Sequence, residues 1–316
     1  MMKSSKNFPL FAWGTLVLNV FVALWGAVVR ATGSGAGCGA HWPSCDGEIV
    51  PGLQTSAQWV EYTHRLSSGL ALLAVIVMLI WALKAYPSGH LVRKGSLWSM
   101  FFMILESLVG ASLVLFGWVE ANDSMARVYI MGVHLTNTLL LLGSIFLTAY
   151  WASGGKAFSF KRQGLFGWLA GLGILAGIFL VVTGAIIALG DSLFLQVGLT
   201  PEQSPVLAGI LALRLTHPFT SVVVGLYWII VARIAMLVRP VSVVKKAAWS
   251  LIVIIFVSWL AGLVNNWLKA PVVMQVIHLL VADLFWLGII WLSAVSLAEG
   301  VAPAGKINWS EVFGWG

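Results

Sequence analysis

Long apolar runs alternate with short polar breaks from one end of the chain to the other. Reading the runs between breaks predicts eight helices, at about 10–30, 58–84, 95–118, 126–151, 164–189, 206–237, 247–268 and 271–297. Each matches the roughly 20 residues that a helix needs to cross the hydrocarbon core of a bilayer. Helices are required there, because an open strand would leave backbone N–H and C=O groups unpaired in lipid. The expected fold class is therefore an all-α membrane protein with eight transmembrane helices.

The pattern also echoes itself. Thr63-His64 near the start of the second predicted helix is matched by Thr216-His217 in the sixth, and Met131-Gly-Val-His134 in the fourth resembles Met274-Gln-Val-Ile-His278 in the eighth. Leu108-Val-Gly-Ala111 in the third resembles Leu260-Ala-Gly-Leu263 in the seventh. Their shared order suggests two pseudo-repeated four-helix halves, residues 1–155 and 156–316, related by a parallel duplication because each half holds an even number of spans.

Composition supports this reading and adds an orientation. Only 9% of the 316 residues are charged and 60% are hydrophobic, against about 25% charged in a soluble domain, so a water-soluble fold is excluded. The net charge of +7 does not point to nucleic acid, because the basic residues are spread over short loops rather than gathered into a patch. With the N-terminus inside, only Arg30, Arg65, Arg127, Arg214 and Lys269 of the 18 basic residues face outward. The others, among them Lys3, Lys6 and Lys306, lie on the cytoplasmic side, a strong positive-inside bias. Both termini are then cytoplasmic and the loop 31–57 faces outward. The short basic stub Met1–Pro9 runs straight into an apolar segment with no cleavable signal, which favours a bacterial cytoplasmic membrane over an organelle.

Four of the six histidines fall inside predicted spans. His64, His134, His217 and His278 sit on the even-numbered helices, 6 to 11 residues from the predicted starts, and so share a band roughly 9–16 Å deep. Ionisable residues in spans are costly, face the bundle interior and mark function. Imidazoles from facing helices of a four-helix bundle are a known way to hold a metal cofactor. Haem is favoured over a bare ion, because two histidines leave equatorial positions that a porphyrin fills, and no Cys or carboxylate cluster completes a zinc or copper site.

Haem propionates need cations near the outer surface. Arg214 precedes His217 by three residues and Arg127 precedes His134 by seven, which puts each on its histidine's helix face. Arg65 and Arg30 are also close to that interface. Snorkelling to lipid headgroups accounts equally well for these arginines. Glu61, three residues before His64, could take a proton or stabilise positive charge on a substrate carbon, or could simply pair with Arg65. Glu106 and Asp283 lie deeper and read either as protonated packing groups or as members of a proton path. Asn19, Asn137, Asn265 and Asn266 read as interhelical hydrogen-bond donors. Cys38 and Cys45 share the outward, oxidising compartment, so a disulfide is expected. It would confer about 2.5 kcal/mol by chain entropy, enough to order a Gly-rich loop, and it could be structural or redox-active. His41 and His90 read as solvated loop residues.

Taken together, the residues resemble the haem A synthase family. The likeness rests on Gly26-Ala-Val-Val-Arg30-Ala-Thr-Gly-Ser-Gly35, on the Cys38 to Cys45 loop with its Trp42-Pro43, and on Glu61-Tyr-Thr-His64-Arg65. The histidine-bearing helices at 134, 217 and 278 extend it over all eight spans. The resemblance implies oxidation of the C8 methyl group of haem O to a formyl group by successive hydroxylations, giving haem A for terminal cytochrome oxidases. It assigns His217 and His278 to a haem b cofactor and His64 and His134 to the substrate haem, with Glu61 as the essential neighbouring carboxylate. It also implies a haem O-producing farnesyltransferase and an unidentified redox partner. Some family members carry a second cysteine pair between the fifth and sixth helices, which the stretch 190–206 lacks, and an acidic residue where this chain has His41. Two rival readings are a bis-histidine cytochrome b electron carrier, which needs no Glu61, and a haem transporter with histidines as way-stations.

Overall fold

The computed structural model describes residues 7–299, 307 and 309–313; Lys3, Lys6 and Lys306, counted above as cytoplasmic, lie outside them. The described chain forms helices α1 (Phe8–Ala31), α2 (Ser56–Ala85), α3 (Leu91–Leu115), α4 (Met125–Ala152), α5 (Gly164–Leu195), α6 (Pro205–Ala212), α7 (Thr216–Val238), α8 (Ser242–Trp267), α9 (Val272–Ser296) and the short α10 (Trp309–Phe313). Counting α6 and α7 as one, eight helical segments are long and apolar enough to cross a membrane.

Most boundaries fall within a turn or two of those expected, and two differences have a clear local cause. The third helix begins at Leu91 rather than 95, because His90 caps it: its Nδ1 accepts a hydrogen bond from Val92 N–H at 3.2 Å. It ends at Leu115 rather than 118, where Gly117 takes a φ of 64° and Trp118 N–H returns to the Leu113 carbonyl at 2.8 Å. That left-handed glycine satisfies carbonyls that the helix end would otherwise leave orphaned. The sixth predicted helix, 206–237, is two helices broken at Leu213–Leu215. Pro218 explains the break: with no N–H it cannot bond the carbonyl four residues back, and its ring crowds that carbonyl, so it is tolerated only in the first turn of a new helix. The fifth helix runs to Leu195, past the expected 189, and so carries Asp191 and Ser192.

The helices close into two rings. α1 packs on α2 and α4 while α3 packs on α2 and α4; α5 packs on α7 and α9 while α8 packs on α7 and α9. The rings meet through α1, α4, α5 and α9. In lipid no water is expelled between helices, so close packing and hydrogen bonds hold them. Indole N–H groups supply several such bonds. Trp25 Nε1 reaches the Val60 carbonyl at 3.2 Å, Trp228 the Gly173 carbonyl at 3.1 Å and Trp259 the Ser221 carbonyl at 3.2 Å. Trp286 of α9 bonds the Leu139 carbonyl of α4 at 2.6 Å and so joins the rings. Arg239, just past the end of α7, is 1% exposed and ties that end to the Ser296 carbonyl and to Gln163.

Candidate functional site

The four intramembrane histidines all point between helices, and each ring lies against a glycine of a neighbouring helix. A Cβ added at Gly26 of α1 would stand 3.1 Å from Cε1 of His64, and at Gly184 of α5 2.7 Å from Cε1 of His217. The same atom at Gly262 of α8 would be 3.2 Å from His278, and at Gly110 of α3 3.9 Å from His134. At Gly26, Gly184 and Gly262 only a residue without a side chain leaves the ring this room, whereas at Gly110 the contact would be an ordinary one. His64, His134 and His278 lie eight, nine and six residues past the first residues of α2, α4 and α9. They are thus roughly 9–14 Å along their helices at 1.5 Å per residue. His217 sits one residue into α7, just after the break.

His217 and His278 face one another with ring centroids 6.5 Å apart and planes at 85°. Two imidazoles bound on opposite sides of one metal, at about 2.0 Å each, put their centroids roughly 6 Å apart. The spacing therefore suits one iron between them. The Nδ1 atoms of His64, His134 and His278 are buried without a hydrogen-bond partner, whereas His217 Nδ1 lies 3.3 Å from Thr183 Oγ1. Ring nitrogens buried inside a bundle without a partner are costly. Among the described residues no group of three or more His, Cys, Asp or Glu side chains could hold a bare metal ion. His217 and His278 instead form a facing pair, the arrangement that an iron already held by a porphyrin needs.

Around His64 the loop of residues 32–55 is built onto α2. Cys38 and Cys45 form the expected disulfide, with both residues fully buried and Cα atoms 4.4 Å apart. Glu61 is 3% exposed; its Oε2 accepts the Cys38 backbone N–H at 2.8 Å, and its Oε1 pairs with Arg65. Arg65 in turn donates to the carbonyls of His41 and Ser44. Gln58, which closes a capping box with Thr55 at the start of α2, also donates to Asp46 at 2.8 Å. Gly37 lies so close that a Cβ there would be 2.5 Å from the Ala57 backbone. The disulfide loop and the carboxylate are thus one unit. A Cys38→Ser/Cys45→Ser double variant is expected to be cut faster than wild type within 32–55 in limited proteolysis of the detergent-solubilised protein. Unchanged cutting would mean that Arg65 and Gln58 alone hold the loop.

The arginines are placed differently from the sequence expectation. Arg214 does not share a continuous helix with His217: it lies in the break, with Nη2 3.3 Å from Asp191 Oδ1. Arg127, 5% exposed, donates from Nη1 to the carbonyls of Glu120 at 2.5 Å and Asn122 at 2.7 Å, while its Nε has no partner. Arg65 is committed to Glu61 and the loop. Arg30 leaves its own ring altogether, donating to the Ala188 carbonyl at 2.6 Å, to Ser192 Oγ and to Gln275 Oε1 at 2.9 Å. Gln275 precedes His278 by three residues, so Arg30 lies on the approach to the second histidine pair. Sequence reasoning missed Thr183, Asp191, Ser192, Gln275 and the four glycines. Gly110 and Gly262 stood within the repeated motifs of the third and seventh predicted helices, a signal that could have found them.

Known proteins extend this picture. A protein of Thermus thermophilus called protoheme IX farnesyltransferase is 47% identical over 298 residues, covering 92% of this chain and 48% of that protein. A heme A synthase of Geobacillus kaustophilus is 32% identical over 142 residues, 45% of this chain and 42% of that protein. A heme A synthase of Bacillus licheniformis is 36% identical over 133 residues, 42% and 41% of the two. The chain spans about half the length, or less, of these curated relatives over the matched regions. A model of the cytochrome oxidase assembly protein family, COX15-CtaA, matches residues 9–290. By that match the chain belongs to the COX15-CtaA family of cytochrome oxidase assembly proteins.

Proposed function

We propose that the chain is a haem A synthase, oxidising the C8 methyl group of haem O to a formyl group in a bacterial cytoplasmic membrane with both termini inside. The observation that carries this reading is the set of four glycine-backed histidines, two per ring, with the buried Glu61 carboxylate and the disulfide loop joined to the His64 helix. In this reading residues 1–155 and 156–316 are related halves with divided tasks. His64 and His134 grip the substrate haem, while His217 and His278 hold a haem b. When bound, haem b would supply reversible single-electron chemistry next to the substrate. Arg30, hydrogen-bonded only to neutral groups, would meet a propionate of that second-half haem. Arg127 and Arg214 would serve as propionate partners if they exchanged their present carbonyl and Asp191 contacts for a ligand's.

Glu61 would act on the substrate methyl. Hydroxylation gives an alcohol, and a second hydroxylation a hydrated aldehyde that loses water to the formyl group. With water as the oxygen donor each hydroxylation releases two electrons and two protons and builds positive charge on the carbon, which favours a nearby carboxylate such as the one three residues from His64. The electrons must leave to a redox partner. A haem O-producing farnesyltransferase is the natural supplier, and the Thermus relative that bears a farnesyltransferase name over a chain about twice the matched length supports the association.

The reading is tested by extracting the haems from the purified chain and identifying them by chromatography. Wild type should yield haem b together with haem O, its alcohol and haem A. His64→Ala should lose the haem O series and keep haem b. A colourless wild-type preparation, or one holding a single loosely bound haem, would overturn it in favour of another role.

A further inference from the structure

Glu106 of α3 has no part in the proposed chemistry, yet it is set behind one of the four histidines. Its Oε1 lies 3.5 Å from His134 Nδ1, a ring nitrogen that is otherwise buried without a partner. That separation is longer than a hydrogen bond, but nothing else polar competes for the nitrogen. The carboxylate is fixed in place from α4. Asn137 Nδ2 donates to Oε2 at 2.6 Å and shares itself with the Phe102 carbonyl at 2.9 Å. Thr138 Oγ1 contacts Oε1 and, at 2.9 Å, the carbonyl of His134 itself. A hydroxyl has a single proton, so Thr138 donates to one of these at a time.

The other three histidines have no such neighbour. Among the described residues, His134 is the histidine with a carboxylate within ion-pair distance. The Nδ1 atoms of His64 and His278 have no partner, and His217 meets only the neutral hydroxyl of Thr183. A ligand histidine binds metal through one ring nitrogen, and the proton on the other is held by whatever accepts it. A carboxylate there fixes the ring and raises its basicity.

We propose that Glu106 is a positioning residue for His134: when His134 grips iron through Nε2, Glu106 accepts the Nδ1 proton, locks the ring and makes that iron harder to reduce than its neighbour. Asn137 and Thr138 tune how strongly the carboxylate accepts. The asymmetry has a use. The first-half haem is the one proposed to be substrate, and an electron-rich iron there is biased to give electrons up to the second-half haem. This inference rests on the proposed haem ligation by the histidines.

The test is a potentiometric titration of the purified full chain with its bound haems. The first-half haem is identified as the transition lost in His64→Ala. Glu106→Gln keeps an oxygen acceptor but removes the charge, and should ease reduction of the first-half haem by about tenfold in its equilibrium constant, which is 59 mV for a single-electron couple. Thr138→Val removes a donor to Oε1, frees the carboxylate for His134, and should shift the same haem in the opposite direction. Glu106→Asp should restore most of the wild-type potential. The second-half haem should stay in place throughout. The inference is overturned if neither Glu106→Gln nor Thr138→Val moves the first-half potential, or if both haems move together. Should Glu106→Gln not accumulate, the direction of the Thr138→Val shift decides alone. A wild type without bound haem would instead fail the ligation reading, and the two failures are distinct.

Discussion

Replacing Glu61 with Gln is expected to lower haem A formation by roughly 10²–10⁴-fold, the range typical of losing a positioned acid or base, while leaving both haems bound. The variant keeps an oxygen for the Cys38 N–H, so the loop contact at 2.8 Å has a replacement acceptor. What disappears is the charge. Without it Arg65 loses its ion-pair partner and keeps only the carbonyls of His41 and Ser44. The measurement is the ratio of haem A to haem O extracted from cells making the variant, alongside total haem per chain. An unchanged ratio would remove Glu61 from the chemistry and leave it as an anchor for the disulfide loop. A lowered ratio accompanied by loss of haem would assign it to binding instead.

The second large effect is steric. At Gly184 an added Cβ would stand 2.7 Å from His217 Cε1 and 3.2 Å from its Nε2. Atoms do not approach that closely, so the ring must turn away. Overpacking of this kind costs about 1–3 kcal/mol, and at about 1.4 kcal/mol per tenfold the affinity for a ligand held by His217 falls by about five- to 140-fold. Gly184→Ala should therefore purify with close to half the haem of wild type, read from the pyridine haemochrome spectrum per mole of protein. Gly110→Ala is the matched control. Its Cβ would be 3.9 Å from His134 Cε1, an ordinary contact, and haem content should not change. Full haem in Gly184→Ala, with an unaltered spectrum, would show that His217 need not hold its present position to bind.

Not every part of this site was hidden. The four histidines and the cysteine pair were readable because a titratable ring in an apolar span, or two thiols in one short outward loop, leaves few inexpensive alternatives. Glu61 and Arg65 were readable as a pair at helical spacing, and they are one. Arg214 was misplaced because helical spacing from His217 assumes an unbroken helix, and Pro218 removes that assumption. Pro218 was in plain view. Arg30 could not have been placed, since its partners Ala188, Ser192 and Gln275 are distant in the chain and none is a charge that signals a mate. Asp191 went unremarked because its partner Arg214 lies on a separate later segment, and the seat of Glu106 because its partners lie on the next helix.

The sequence by itself determined that the chain has eight helices long and apolar enough to cross a membrane, that four imidazoles lie inside them and that two thiols are joined in one loop. Burying backbone in lipid permits only helices, and a charged or titratable group among apolar neighbours stands out without any knowledge of its surroundings. Only the tertiary structure decided which glycine backs each ring, which arginine crosses between the two helical rings, and which carboxylate sits behind which histidine. Those are matters of packing between helices, set by how side chains from separate segments fit at distances of a few ångströms. Of the 33 glycines the repeated motifs single out Gly110 and Gly262, but order alone does not say which ring each one faces or how closely.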